Sequence, residues 1–139
     1  MRRLVIGLLA ILTLVTLPQL AAAQTIGTFS WQLAPYGSQI VVTVTQNGST
    51  YDLRGVEVQC GNNPRLPVTG MAVPQANGQI LIGLTTINER GRGLHTTAFI
   101  NTTNFSGTWS DNAGNTSQQF RFNPGTTCPG GPRTDPNTP

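Results

Sequence analysis

The stretch QIVVTVTQNGSTYDLRGVEV, Gln39 to Val58, decides how the rest of the chain is read. Its first half alternates, with Ile40, Val42 and Val44 on one face and Thr43 and Thr45 on the other. A period of two over this length marks a strand with one buried face. Asn47-Gly48 then supplies a strong hairpin signal, because a tight type I′ turn needs positive φ at both central residues. The chain returns with Tyr51 and Leu53 in phase on the apolar face. Beyond Gly55 the apolar residues change parity to Val56 and Val58, which reads as a bulge or a barrel bend. Glu57 is expected to point outward, as strand carboxylates commonly do, unless a bulge at Gly55 turns it inward.

The same alternation extends in both directions from this hairpin. Upstream, TFSWQL aligns Phe29, Trp31 and Leu33. Downstream, the loop CGNNPR leads into LPVTGMAV, whose start Pro67 weakens, and PQANG turns the chain into QILIGLTTI with Ile80, Ile82 and Leu84 aligned. The polar loop NERGR precedes GLHTTAFIN, with Leu94, Ala98 and Ile100 aligned. NFSGTWSD aligns Phe105, Gly107 and Trp109, and TSQQFRFN aligns Phe120 and Phe122. Helical periodicity is absent. Strands spaced roughly 8 to 12 residues apart predict an all-β sandwich or barrel. A Greek key needs a long return connection, and the short loops here favour an up-and-down meander. The expected fold is a single eight-stranded antiparallel β-barrel, closed so that no edge strands remain; the alternative is a β-sandwich.

The ends of the chain read differently. Arg2 and Arg3 precede an apolar run from Leu4 to Leu17, then Pro18 and the small residues Ala21, Ala22 and Ala23. This is the layout of a secretory signal peptide, with cleavage expected between Ala23 and Gln24. The apolar run is shorter than the roughly 20 residues that span a bilayer, so no membrane span is expected after cleavage. The domain is therefore 24–123, secreted or periplasmic, and the Pro- and Gly-rich residues 124–139 are expected to form a disordered tail.

Charge excludes one partner class. Removing Arg2 and Arg3 from the formal +3 leaves a chain near +1 with no lysine, and Arg90 and Arg92 form its only close basic pair. Nucleic-acid binding normally needs a clustered basic face and is not expected. Cys60 and Cys128 are the only cysteines. In an oxidising compartment they are expected to bridge, with two free thiols as the alternative.

No catalytic constellation is visible. His95, the only histidine, has the opposite parity to Leu94 and is expected on the surface. Asp52, Glu57, Glu89 and Asp111 are scattered, and no spacing sets two of them across a cleft as glycoside chemistry requires. The turn SDNAGN resembles half of a calcium loop but lacks the downstream carboxylates, and Asp, Asn and Gly are also what a tight turn uses. No metal or cofactor is expected. Trp31 and Trp109 either pack the core or stack on a ligand, and Arg121 is a candidate to stack on one of them. Gly70, Ala72, Gly83 and Gly107 mark either strand bends or cavity volume.

Two resemblances follow from these residues. FSWQLAPYGSQIVVTVTQNGSTYDLRGVEVQCG together with SGTWSDNAGN resembles a group of small, uncharacterised secreted bacterial β-barrel proteins. Members of that group often carry a cysteine where this chain has Gly37, bridged to the counterpart of Cys60. Its absence here makes Cys60 to Cys128 the substitute that the resemblance implies. The early F-x-W, the eight meandering strands and a late arginine also resemble the calycins, the lipocalin and avidin superfamily. That resemblance implies a barrel that binds a small apolar ligand.

The resulting expectation is a non-enzymatic module that binds a small apolar ligand through Trp31, Tyr51 and Trp109. The alternative is a structural or protein-interaction module of the cell envelope without a cavity ligand. A hydrolase would need two polar groups converging in a pocket.

Overall fold

A computed structural model describes residues 22–59 and 65–123. The expected signal peptide up to residue 21, both cysteines with their expected bridge, and the expected tail 124–139 lie outside the described residues. Among the described residues, eight strands follow one another without a helix: β1 (Gln24–Leu33), β2 (Gln39–Asn47), β3 (Thr50–Val58), β4 (Arg65–Pro74), β5 (Gln79–Ile87), β6 (Gly93–Asn101), β7 (Gly107–Asp111) and β8 (Gln118–Phe122). Each strand pairs antiparallel with the next, and β8 returns to β1 to close the barrel. This is the expected meander. The sandwich alternative is excluded by the closure, in which Trp31, Gln32 and Leu33 pair with Phe122, Arg121 and Phe120.

Alternation sets the two faces of the wall. Ile40, Val42 and Val44 of β2, Val68 and Ala72 of β4, Ile82 and Leu84 of β5, and Leu94, Ala98 and Ile100 of β6 are all buried. The outward positions between them are mixed, with Thr43, Thr69 and Thr97 beside Val41, Met71, His95 and Phe99. An apolar interior is the reverse of the pattern in a membrane-spanning barrel. Among the described residues no helix is long and apolar enough to cross a membrane.

Of the two readings of Gly55, a bulge or a barrel bend, the bulge is absent. The pairing of β3 with β2 runs without a shift from Thr50 to Val58, so the inward phase of Tyr51 and Leu53 continues through Gly55 to Glu57. Val56 and Val58 therefore face outward, and Glu57 is fully buried. The irregularity lies instead in β1, where the register shifts between Thr25 and Gly27.

Glycine is needed where the wall bends. Gly55, Gly70 and Gly107 occupy inward positions. A Cβ on each would overlap a carbonyl oxygen of the next strand, that of Val41, Gly83 and Phe99 respectively. Gly83 is different: it faces outward, and a Cβ there would meet nothing. The seventh strand also begins later than its alternation predicts. Phe105 precedes it in a turn with φ 56, so it leaves the aligned set of Gly107 and Trp109.

Candidate functional site

The barrel has two unlike ends. One carries the loops 34–38, 88–92 and 112–117, and its interior is filled. Leu33, Ile40, Val42, Val68, Leu84, Trp109 and Phe120 all belong to the packed core there. Trp109 closes this end: its indole N–H donates to Ala34 O at 3.0 Å, and its ring packs 6.2 Å from that of Tyr36. The Tyr36 hydroxyl in turn donates to Asn115 Oδ1 at 2.9 Å. The turn beneath is held by Asp111, whose Oδ1 accepts the backbone N–H of Ala113 and of Asn115, each at 3.0 Å. The turn reading of SDNAGN accounts for this carboxylate.

The other end is an open cup. A cavity of about 370 Å³ opens between the β2–β3 and β4–β5 hairpins, the β6–β7 loop and the start of β1. Its wall is built by the inward alternation of successive strands: Val44, Leu53, Ala72, Ile82 and Ile100. Trp31 and Phe29 form its β1 side, and Ile26, Pro74, Ile80 and Phe105 stand at its rim. Pockets that hold small molecules run from about 300 to 1,000 Å³, so the cup is at the small end of that range.

One side of the cup is aromatic. Among the described residues, β8 pairs with Trp31 to Leu33 of β1, and Asn123 N–H donates to Ser30 O just beyond. Rings fill the seam. Phe29 lies 5.9 Å from Trp31, 6.4 Å from Phe105 and 6.4 Å from Phe122. Trp31 stacks on Phe120 at 5.5 Å with the planes 6° apart. The Trp31 indole N–H donates to Phe105 O at 2.7 Å, which ties the β6–β7 loop over the seam. Asn101 supports the same loop, its Oδ1 accepting the N–H of Thr103 and of Asn104.

The polar content of the cup is therefore small. The Trp31 N–H is engaged by Phe105. Thr102 donates its hydroxyl to Gly78 O at 3.1 Å. The Tyr51 hydroxyl is the remaining polar side-chain group in the lining.

The structure thus brings Trp31 and Tyr51 to one cavity and sets Trp109 at the opposite end of the interior. Arg121 stacks on neither tryptophan. It faces outward, and two of its guanidinium nitrogens donate to Gln119 Oε1; the ring partner of Trp31 is Phe120. His95 is exposed as its parity predicts, with Nδ1 3.0 Å from the Thr85 hydroxyl.

One polar cluster is not anticipated by the sequence reading. Glu57, Thr86 and Thr96 are buried in the filled half, and Thr86 donates its hydroxyl to Glu57 Oε2 at 2.9 Å. The signal for it was present in the alternation. Thr86 is in phase with Ile82 and Leu84, Thr96 with Leu94 and Ala98, and Glu57 with Leu53. None of the three lines the cup.

Comparison of the chain with protein-family models, with curated proteins and with solved structures returns no match.

Proposed function

We propose that this chain is a non-enzymatic binding module whose open half takes a small apolar ligand. The observation that carries this reading is the division of the interior, filled below Trp31 and hollow above it. A barrel selected only for stability gains by filling its interior, since each buried methylene contributes about 0.8 kcal/mol. An apolar cup opening to one end leaves that gain to a guest. The lining favours a ligand that is apolar along its body and carries at most one polar group, placed at the mouth beside the Tyr51 hydroxyl. The resemblance to calycins implies the same ligand class. The leader-like residues 1–23 support export, so the module is read as secreted or periplasmic.

The two tryptophans make the test internal. Trp31 borders the cup and Trp109 does not. Titration with a panel of apolar and single-headed amphiphilic compounds is expected to change the fluorescence saturably. Trp109→Phe should keep that response and Trp31→Phe should remove most of it. A response that follows Trp109, or none across the panel, would sink the reading.

A further inference from the structure

The outer wall next to the mouth is apolar and carries Met71 and Phe99. These are more exposed than the outward apolar side chains of the filled half, where Ile87 is 38% exposed and Val41 and Val56 are partly buried. Val73, Leu81 and Phe99 face outward and lie in register across β4, β5 and β6. Met71 lies two residues further from the rim on β4. Phe99 and Met71 are 46% and 47% exposed, among the most exposed large hydrophobic side chains. Ile26 and Phe105 extend this surface onto the rim and into the cup. The patch then thins out: the next outward rung is Met71, Gly83 and Thr97, and the one after it is Thr69, Thr85 and His95.

Charge is distributed the opposite way. The mouth loops 47–50, 75–78 and 102–106 contain no charged residue, whereas Glu89, Arg90, Arg92 and Asp111 lie at the filled end. Asp52 is the one carboxylate beside the patch, opposite Met71 on β3, and it accepts a hydrogen bond from the Asn47 side chain at 3.3 Å. The apolar flank therefore runs from β4 towards β6, away from Asp52.

We propose that the mouth and this flank dock onto a lipid surface with uncharged headgroups, from which the cup takes its ligand. Depth supports this partner. Strands rise about 3.3 Å per residue, so Met71 lies about 10 Å along the strand from Pro74 at the rim. Peripheral elements bury their apolar faces about 5–10 Å into the headgroup boundary, which matches the height at which the wall turns to threonine. A second copy of the chain fits less well. A stable protein interface buries roughly 800 Å² on each partner, and two half-exposed side chains, Met71 and Phe99, beside the partly buried Val73 and Leu81 fall far short of that. The inference extends the cup reading by naming the source of its ligand.

Flotation with phosphatidylcholine vesicles tests it, using the chain from Gln24, which holds all eight strands. The protein is expected to float with the vesicles, and raising salt should not release it, because no basic patch contributes. Met71→Ser combined with Phe99→Ser should lower vesicle binding at least tenfold. Neither residue lines the cup, so the vesicle-free fluorescence titration should be unchanged. Failure to float, equal flotation of the double variant, a requirement for anionic lipid, or a dimer that Phe99→Ser dissociates would each overturn the docking proposal. Ligand binding without flotation removes docking alone, and flotation without a ligand response removes the cup reading alone.

Discussion

At the residue scale, Glu57 is the costliest placement in the barrel. A carboxyl group with 0% exposure gives up its hydration and needs partners inside the protein. Thr86 provides one of them. Removing one member of a buried pair leaves the other unsatisfied, which costs about 1–3 kcal/mol, whereas replacing both with apolar groups of similar shape is often nearly neutral. Glu57→Ala also leaves a cavity, so it is expected to destabilise the fold by about 2–4 kcal/mol in urea unfolding. Glu57→Gln retains an acceptor for the Thr86 hydroxyl and should cost less. The pair Glu57→Leu with Thr86→Val should recover a large part of the loss. If Thr86→Val alone costs nothing, the Thr86 bond is not what holds Glu57 in place.

At the element scale, the glycines separate bends from bare surface. Ala at Gly107 would force its Cβ against the Phe99 carbonyl, a backbone group that cannot move without opening the β6–β7 pairing. Gly107→Ala is expected to lower stability by at least about 2 kcal/mol. Gly83 faces open space, and a strand glycine costs roughly 0.5–1 kcal/mol relative to alanine. Gly83→Ala should therefore raise the melting temperature by a few degrees. Thermal unfolding of the two variants side by side checks both signs, and equal effects would refute the distinction.

The same elements show what alternation reveals and what it hides. Ile40, Val42 and Val44 announced their strand and its face, and Asn47-Gly48 its turn, because both signals are local. At Gly55 the apolar side chains Val56 and Val58 suggested a change of phase, yet continuous pairing with β2 outweighed hydrophobicity and carried Glu57 inward. Height along the barrel was hidden for another reason. Parity tells inside from outside, but level depends on the tilt and stagger that all the strands adopt together. Trp31 and Trp109 share inward parity, yet Trp31 borders the cup and Trp109 lies in the filled half. Of the three expected ligand contacts, Trp31 and Tyr51 line the cup and Trp109 does not. The meeting of Phe29, Trp31, Phe105 and Phe122 at one side of the cup was not legible at all.

At the scale of the whole molecule, the barrel divides its interior into a filled half and an open cup, and Ala72 lines the cup. It is buried at the cup wall, paired with Tyr51 on one side and Ile82 on the other. A larger side chain there projects into empty volume rather than into packed neighbours, so the usual penalty for overpacking does not apply. Ala72→Leu adds three carbons, and at about 0.8 kcal/mol for each buried methylene the gain is limited to about 2 kcal/mol. The expected outcome is a fold more stable by about 1–2 kcal/mol in urea unfolding, with ligand affinity reduced at least tenfold in the fluorescence titration. A stability gain bought with lost binding is the exchange expected when a void is kept for function. Unchanged affinity would move the ligand out of the cup. A loss of stability would mean that the wall around Ala72 closes up in solution and leaves no room for a guest.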